Sequence, residues 1–138
     1  MRNGLPHDQV YVRIAASEIH GVGVRAIRSI KKGTYIFQGD DDKLRWIRRS
    51  RLKRLAKEHR KLYDDFCIKK GKWYGCPRNF NLMTPAWYLN HSPTPNVASD
   101  ASYRFFALRD IRVGEELTAN YETYSEVGPR RLTSAKTA

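Results

Sequence analysis

Short runs of alternating apolar and polar residues make up most of the chain, and this pattern predicts strands rather than long helices. The predicted strands are segments rich in β-branched and aromatic residues: 10–17, 22–30, 34–39, 103–111 and 117–121. Turns are predicted at Lys32-Gly33 and at Val113-Gly114, each after a segment that contains isoleucine. We therefore expect a mainly β (α+β) domain built from short strands.

The middle of the chain follows a different period. Apolar side chains recur there at helical spacing, at Leu52, Leu55, Leu62 and Phe66. Three carboxylates, Asp40–Asp42, come just before this segment, where acidic side chains can cap a helix and suit its dipole. The pattern predicts an amphipathic helix from about 43 to 66, placed between the two groups of strands.

Positive charge adds a second property to this segment. The 138-residue chain has 26 Lys and Arg residues against 14 acidic ones, a net charge of +12. Residues 43–72, the basic insert, hold 13 of those basic residues against three acids and therefore carry +10 of the charge. Two interpretations stay open: a solvated basic face over a core stripe, or a surface that docks an anionic partner such as nucleic acid.

Composition excludes several classes of protein. No apolar run approaches the ~20 residues of a membrane span, and the N-terminus lacks the apolar core of a secretory signal. Cys67 and Cys76 make neither a disulfide scaffold nor, alone, a zinc site. We expect one intracellular domain over residues 1–138, cytoplasmic in a bacterium and nuclear in a eukaryote or virus, with no membrane partner. The polar tail, 125–138, is expected to order poorly unless something docks it.

The stretch 84–100 combines apolar and chemically active residues in an unusual order. Four apolar positions, Ala86–Leu89, run directly into Asn90-His91-Ser92 and then into a loop bounded by prolines. Either a strand end is capped here and its histidine satisfied, or the polar residues hold a ligand. Gly21-Val22-Gly23 is equally ambiguous alone, because such glycines serve ordinary turns as well as close approach of a ligand to the backbone.

The order of these features is more specific than any one of them. The chain contains, in sequence, Gly-Val-Gly, the Ile30–Gly39 segment, a variable insert, Leu-Asn-His-Ser-x-x-Pro-Asn from Leu89, and Asp-Ile-x-x-Gly-Glu-Glu-Leu-Thr-x-x-Tyr ending at Tyr121. This series resembles the SET-domain protein-lysine methyltransferases, in particular their small viral and bacterial members without zinc-binding flanks. The resemblance runs from about Val10 to Tyr124.

The resemblance implies a SET-domain β-clip fold of several small sheets, with a C-terminal pseudoknot in which the last segment threads under a loop. It also implies S-adenosylmethionine on one face and the substrate peptide on the other, joined by a narrow channel for the lysine side chain. Tyr121 would be the catalytic residue, and no metal is expected. The implied cofactor-binding residues are His20, Gly21, Val22, Gly23, Asn90 and His91. The implied channel residues are Phe37, Tyr88, Ala119 and Tyr124.

Methyl transfer from a sulfonium to an amine, with S-adenosylhomocysteine as product, needs an aligned and neutral amine. A free lysine has a pKa near ~10.4, and burial in an apolar channel beside the sulfonium charge lowers it. Tyr121 would therefore orient the amine rather than remove its proton. Many relatives carry Tyr where Phe37 stands, and often Phe or Tyr in place of Ala119, which implies a roomier channel that permits di- or trimethylation. Trp87 stands where several relatives have an Arg, so the anchor for the cofactor carboxylate differs here.

The implied substrate is a protein with an accessible lysine, such as a histone, nucleic-acid-associated or ribosomal-type protein. The basic insert would repel a basic tail unless it faces away or grips nucleic acid, which makes nucleic acid a candidate partner. The alternative is a catalytically weak SET-fold module that binds the cofactor or nucleic acid, although Tyr121 stands in an intact motif. A homodimer is one oligomeric state open to so short a version of the fold.

Overall fold

The computed structural model describes Leu5 and residues 7–126 of the chain. Within those residues the fold has nine short strands and one α-helix, arranged in three small sheets. The helix, α1, spans Lys57–Phe66. The strands are β1 Val12–Ala16, β2 Val22–Ala26, β3 Arg45–Arg48, β4 Ile68–Lys70, β5 Trp73–Cys76, β6 Asn90–His91, β7 Val97–Ser99, β8 Phe105–Ala107 and β9 Glu116–Ala119. The predicted mainly β class is confirmed.

The four-stranded sheet has the order β1-β2-β9-β6. It places three of the sequence motifs side by side: the Gly-Val-Gly segment, the Asn-His pair and the Glu-Leu-Thr segment. Strand β9 lies antiparallel to β2 on one side and parallel to β6 on the other. Beyond the two residues of β6, the Ser92 N–H donates to the Ala119 carbonyl at 3.0 Å and the Asn96 N–H to the Thr118 carbonyl at 3.2 Å. The chain therefore leaves β9 after Ser92 and returns to it at Asn96, opposite the same residue, Thr118, that pairs with Asn90.

The main hydrophobic core lies against this sheet. Its fully buried members include Val24, Ile30, Ile111 and Leu117, all at most 1% exposed. Ile30 and Ile111 also form an isolated β-bridge. This bridge joins the segment that follows β2 to the segment that precedes β9. These residues come from both ends of the chain, so the core itself joins the N-terminal and C-terminal strand groups.

The strand predicted at 34–39 is wrong. The segment makes one isolated bridge, Tyr35 to Phe106, and is otherwise irregular. Gly33 and Gly39 at its two ends both have φ +87°, a left-handed conformation that bends the chain. Residues 33–36 lie alongside β8, where the Gly33 N–H donates to the Ala107 carbonyl at 2.8 Å, the Ala107 N–H to the Thr34 carbonyl at 2.9 Å and the Ile36 N–H to the Phe105 carbonyl at 3.0 Å. The turns at both ends stop this pairing from extending into a longer strand, and only Ile36 is fully buried.

The predicted helix over 43–66 is also wrong in its first half. Residues 45–48 form β3, which pairs antiparallel with β5, and 49–52 form a single 3-10 turn. The true helix begins only at Lys57, after Ala56, with no side-chain cap. The predicted acidic cap is not one: Asp40 instead accepts from Thr84 Oγ1 at 2.7 Å and from the Asp42 N–H at 3.1 Å.

The three-stranded sheet, in the order β3-β5-β4, has its own small core. Leu52, Cys67, Tyr74 and Cys76 are buried in it, with the partly buried Ile47, Leu55, Tyr63 and Phe80 packed around them. Both cysteines are free, and the hydrogen bond with Cys76 together with burial raises the pKa of the Cys67 thiol. The thiols therefore serve as core side chains, and the described residues include no group of three or more potential metal ligands.

The chain after β9 returns to this second sheet. The Glu126 N–H donates to the Lys69 carbonyl at 2.9 Å, and the Lys69 N–H donates to Ser125 Oγ at 3.0 Å. The first two residues of the predicted tail are thus docked on β4, while 127–138 lie outside the described residues. None of the helices in the described part of the chain combines the length and apolar character that a bilayer crossing requires.

Candidate active site

Tyr121 stands just past the end of β9 and is held by hydrogen bonds at both its backbone and its side chain. Its hydroxyl donates to the Leu89 carbonyl at 2.5 Å, and its backbone N–H donates to His91 Nδ1 at 3.1 Å. The rings of His91 and Tyr121 pack edge to face, with centroids 5.1 Å apart. With the tyrosine 2% exposed, these contacts fix the phenol in one position beside the Asn-His strand.

Asn90 ties the Gly-Val-Gly loop to β9. Its side-chain nitrogen lies 3.1 Å from Ser17 Oγ, 3.3 Å from the His20 carbonyl and 3.1 Å from the Val22 carbonyl. The same nitrogen lies 3.0 Å from Glu116 Oε2. The asparagine side chain, 2% exposed, is thus satisfied within the chain. Of the two interpretations of the Asn-His pair, the geometry shows an internal tie.

Gly23 makes this tie sterically feasible. A Cβ at this position would lie 2.4 Å from Glu116 Oε2 and 2.9 Å from Asn90 Nδ2. Any side chain would therefore displace the carboxylate or the amide. Ser17 completes the arrangement, because its hydroxyl donates to the Glu116 carboxylate at 2.8 Å and accepts the N–H of Ile19 at 2.9 Å. The second glycine of the motif is thus required by packing of the chain against itself.

The outer side of this loop has the chemistry that a nucleoside cofactor needs. Ile19 and Val22 are 40% and 44% exposed. They flank the half-buried His20 and the left-handed turn at Gly21, which has φ +47°. Apolar surface beside backbone polar groups suits a ligand with an aromatic base and polar ends, so the implied S-adenosylmethionine fits the residues present.

A cavity of about 610 Å³ opens on the other side of Tyr121. Its aromatic wall is continuous: Phe37 meets Phe105 edge to face at 6.2 Å, Phe105 meets Tyr124 at 5.4 Å, and Tyr124 meets Tyr121 at 6.2 Å. Such tilted ring pairs are favourable and hold one another in place. The cavity therefore has an apolar wall that runs up to the buried phenol.

Carboxylates line the same cavity, although the protein is strongly basic. Asp40, Asp41 and Asp42 all contribute, together with Lys43 and Arg104. Asp40 and Asp42 are half-buried, whereas Asp41 is exposed. Sequence reasoning missed this role and assigned the three acids to a helix cap. The signal for a place in the cavity was their position directly after Gly39, which ends one of the motif segments.

The second asparagine of the motif secures the loop that follows the Asn-His pair. Asn96 accepts the Thr118 N–H at 2.8 Å and donates to the Glu116 carbonyl at 2.9 Å. It also approaches Glu115, which accepts from Arg109 and from the Arg112 N–H. The hydrogen bond from Arg109 is the main reason that the pKa of Glu115 falls to about 2. Charge and amide contacts thus clamp 92–96 onto β9.

The predicted site residues separate into two groups. Phe37, Tyr121 and Tyr124 line the cavity, and so does Trp87. Ala119 and Tyr88 are not among the residues that line it. Ala119 is 1% exposed in the core, paired with His91, and Tyr88 packs on the Phe66 ring at 5.7 Å. Sequence reasoning also missed several aromatic residues of the lining: Trp46, Phe66, Tyr103 and Phe105.

Comparison with known families decides what this arrangement is. The profile of the SET domain matches residues 21–122, most of the chain. The protein belongs to the SET-domain family. The SET-domain match includes the Gly-Val-Gly loop, the basic insert, the Asn-His strand and Tyr121.

Solved structures agree with the SET fold. The crystal structure of a Plasmodium falciparum protein assigned as a histone methyltransferase aligns with a TM-score of 0.52 and 20% identity, over 81% of this chain and 93% of that one. The Ezh2 complex apo ctPRC2 aligns with a TM-score of 0.61 and 19% identity, over 92% of this chain but only 16% of the matched chain. At such identities the likeness concerns the fold alone. A search among curated proteins gives no match to this sequence.

Proposed function

We propose that this SET domain is an S-adenosylmethionine-dependent methyltransferase that transfers methyl to the side-chain amine of lysine in a protein substrate. The observation that carries the proposal is the aromatic cavity that ends at the Tyr121 phenol, next to the Asn-His strand. Each part of the cavity suits one requirement of the reaction.

The carboxylates and the aromatic wall suit a lysine that arrives charged and reacts neutral. Asp40–Asp42 attract an ammonium, and the faces of aromatic rings attract cations. Further in, burial beside Phe105 and Tyr124 disfavours the charged amine and lowers its pKa from about 10.4. A lysine that moves from the acidic residues to the phenol would therefore lose its proton before it reacts.

Tyr121 suits the role of an orienting group. Its hydroxyl donates to the Leu89 carbonyl, and a phenol oxygen that donates its hydrogen also has the chemistry to accept one from an amine. Because Leu89 immediately precedes Asn90, the phenol and the cofactor-side loop are joined through two consecutive residues. Alignment of nucleophile and methyl group is worth up to about 7–11 kcal/mol in well-oriented reactions, and a rigid phenol contributes to it.

On the opposite side, residues 20–23 and the backbone of Asn90 and His91 would hold the cofactor, which supplies an electrophilic methyl group when bound. Asn90 would act by holding the loop in shape, since its amide is engaged within the chain. Trp87 lines the cavity and offers no guanidinium. At this position, therefore, no arginine would anchor the cofactor carboxylate.

The test is transfer of a labelled methyl group from S-adenosylmethionine into histones, ribosomal proteins and a cell extract. We expect incorporation on lysine by the native protein and at least about a 100-fold loss for Tyr121→Phe, within the effect typical of a positioned group. Tyr11→Phe, the same chemical change outside the cavity, should retain activity. Calorimetry with the cofactor distinguishes the enzyme from the alternative, a catalytically weak binding module. If the protein binds the cofactor but transfers no more label than Tyr121→Phe does, it is such a module.

A further inference from the structure

The basic insert contains an exposed aromatic surface beside the cavity. In the three-stranded sheet, Trp46 lies opposite Gly75, and Arg48 lies opposite Trp73. On the other side of β5, Lys70 also lies opposite Trp73. Side chains directly opposite one another point to the same side of a sheet, and so do residues two apart along a strand. We call this side of the sheet, formed by Trp46, Arg48, Lys70 and Trp73, the aromatic–basic face.

The two indoles of this face are exposed, in contrast to the tyrosine on the opposite side of the sheet. Trp46 and Trp73 are each 40% exposed, whereas Tyr74, which points to the other side, is 6% exposed in the second core. The benzo ring of Trp46 lies flat enough on the sheet that a Cβ at Gly75 would come within 2.9 Å of it. Glycine at 75 therefore sets the position of this indole.

Cations alternate with the rings across the face. The guanidinium carbon of Arg48 lies 5.1 Å from the Trp73 ring centre, and Lys70 Nζ lies 5.3 Å from the centre of the neighbouring Tyr103 ring. Trp46 and Tyr103 contact each other at 6.0 Å. None of the residues that the register places on this side, which also include Ile68 and Gly75, is acidic.

We propose that the aromatic–basic face binds single-stranded nucleic acid. Bases stack on exposed aromatic rings whatever their sequence, and flanking Lys and Arg side chains neutralise phosphates. The +10 charge of the insert, 43–72, supplies the attraction at longer range. A solvated basic surface needs no pair of exposed indoles, so the interleaving of rings and cations is the observation that distinguishes the two interpretations of the insert.

Single strands are favoured over duplexes by the shape of the surface. Stacking requires a free base face, which a duplex covers on both sides. The rings lie on a short sheet, and the described structure presents no helix on this face that could enter a groove.

The binding does not depend on methyl transfer, but Trp46 and Tyr103 also line the cavity. A bound strand would thus lie at the edge of the cavity and hold its associated proteins beside it.

The test is fluorescence anisotropy of a labelled oligothymidylate of about 12 nucleotides, within the usual size of single-strand sites. We expect saturable binding that weakens with salt, and preference over a duplex of equal length. Trp73→Ala should weaken binding by about 5- to 100-fold, as loss of one stacking platform does. Gly75→Ala, which removes neither ring nor charge, should weaken it by displacing Trp46.

Two double variants that remove the same charge distinguish binding at this face from general attraction of nucleic acid to a basic protein. Arg48→Gln with Lys70→Gln should reduce the slope of log affinity against log salt by about 1.4, because each single-strand phosphate contact contributes about 0.7. Lys31→Gln with Lys32→Gln removes the same charge from an exposed turn and should leave the slope unchanged. Thermal unfolding of each variant checks that the fold is retained.

Three results would overturn the proposal. These are equal affinity for the duplex, equal effects of the two charge pairs, and full affinity in a Trp46→Ala, Trp73→Ala double variant that is folded. If instead a lysine-rich peptide binds in a way that requires both indoles while oligothymidylate does not, the face is a protein-binding surface. Because these measurements need no cofactor, they can fail or succeed independently of the methyltransferase assay.

Discussion

Replacing Asn90 by Asp changes one atom at the centre of the tie between the Gly-Val-Gly loop and β9. The side chain keeps its size, so no cavity forms, but a nitrogen donor becomes an oxygen acceptor. That oxygen would face the Ser17 hydroxyl, the His20 and Val22 carbonyls and the Glu116 carboxylate, all of which now lie within 3.3 Å of the amide nitrogen. Only the hydroxyl could turn to donate.

The cost follows from the groups left without a donor. Two partly buried carbonyls that lose a partner cost up to about 1–3 kcal/mol each, and two carboxylates close together repel further. We therefore expect Asn90→Asp to lower the free energy of unfolding by at least about 3 kcal/mol, a large part of the usual 5–15 kcal/mol. At about 2.1 cal/mol/K per residue, the 138-residue chain has an unfolding entropy near 0.29 kcal/mol/K. The corresponding fall in Tm is about 10 °C.

Urea unfolding at neutral pH measures this change, with Asn81→Asp as the control. Asn81 is exposed, so the same substitution there should cost at most about 0.5 kcal/mol. Lowering the pH protonates the introduced carboxyl and restores one O–H donor, so the gap between the native protein and Asn90→Asp should narrow in acid. A loss below about 1 kcal/mol at neutral pH would show that the amide does not hold the loop.

Three further predictions follow from other contacts. Gly23→Ala should destabilise the fold by about 1–3 kcal/mol in urea unfolding, because its Cβ would meet Glu116 Oε2 at 2.4 Å; an unchanged midpoint would contradict this. The folded-state pKa of Glu115, about 2, is below its ordinary 4.5, so its stabilisation is present above about pH 4.5 and is lost as the pH falls towards 2. Glu115→Gln should accordingly flatten the acid limb of stability against pH, and an identical limb would refute the assignment. If the proposed function holds, mass spectrometry should show that the native protein forms di- or trimethyl-lysine and that Phe37→Tyr, which adds a hydroxyl to the cavity wall, shifts the products to fewer methyl groups.

The parts of the site that sequence predicted are those carried by ordered local motifs. Gly23, Asn90 and Tyr121 each stand in a short pattern whose spacing survives in the fold. The structure brings them together on β2, on β6 and just past the end of β9, the strand between those two. The strands at 10–17, 22–30, 103–111 and 117–121 were also recognisable, because β-branched and aromatic residues cluster in them. Their ends were overestimated, since hydrogen-bonded pairing stops earlier than the apolar character does.

The basic insert was misread for a physical reason. Over four residues, the two-residue alternation of Trp46 and Ile47 cannot be distinguished from part of a helical stripe. What decides for a strand is pairing with β5, which lies more than twenty residues further along the chain. Leu52 belongs to the second core and not to a helix stripe. Contacts so distant in sequence leave no local signal, and the same holds for the carboxylates that line the cavity.

The two-residue strand β6 explains why the cofactor side and the cavity side of this fold cannot vary independently. Leu89 accepts from the Tyr121 hydroxyl, Asn90 holds the Gly-Val-Gly loop, and His91 accepts the Tyr121 N–H. Three consecutive residues thus fix the phenol and the loop on opposite sides of one strand. Movement of β6 by even a fraction of a hydrogen-bond length would disturb both sides together, because these distances lie between 2.5 and 3.1 Å. Substitutions in the loop should therefore alter the cavity as well, even though the loop lies outside its lining.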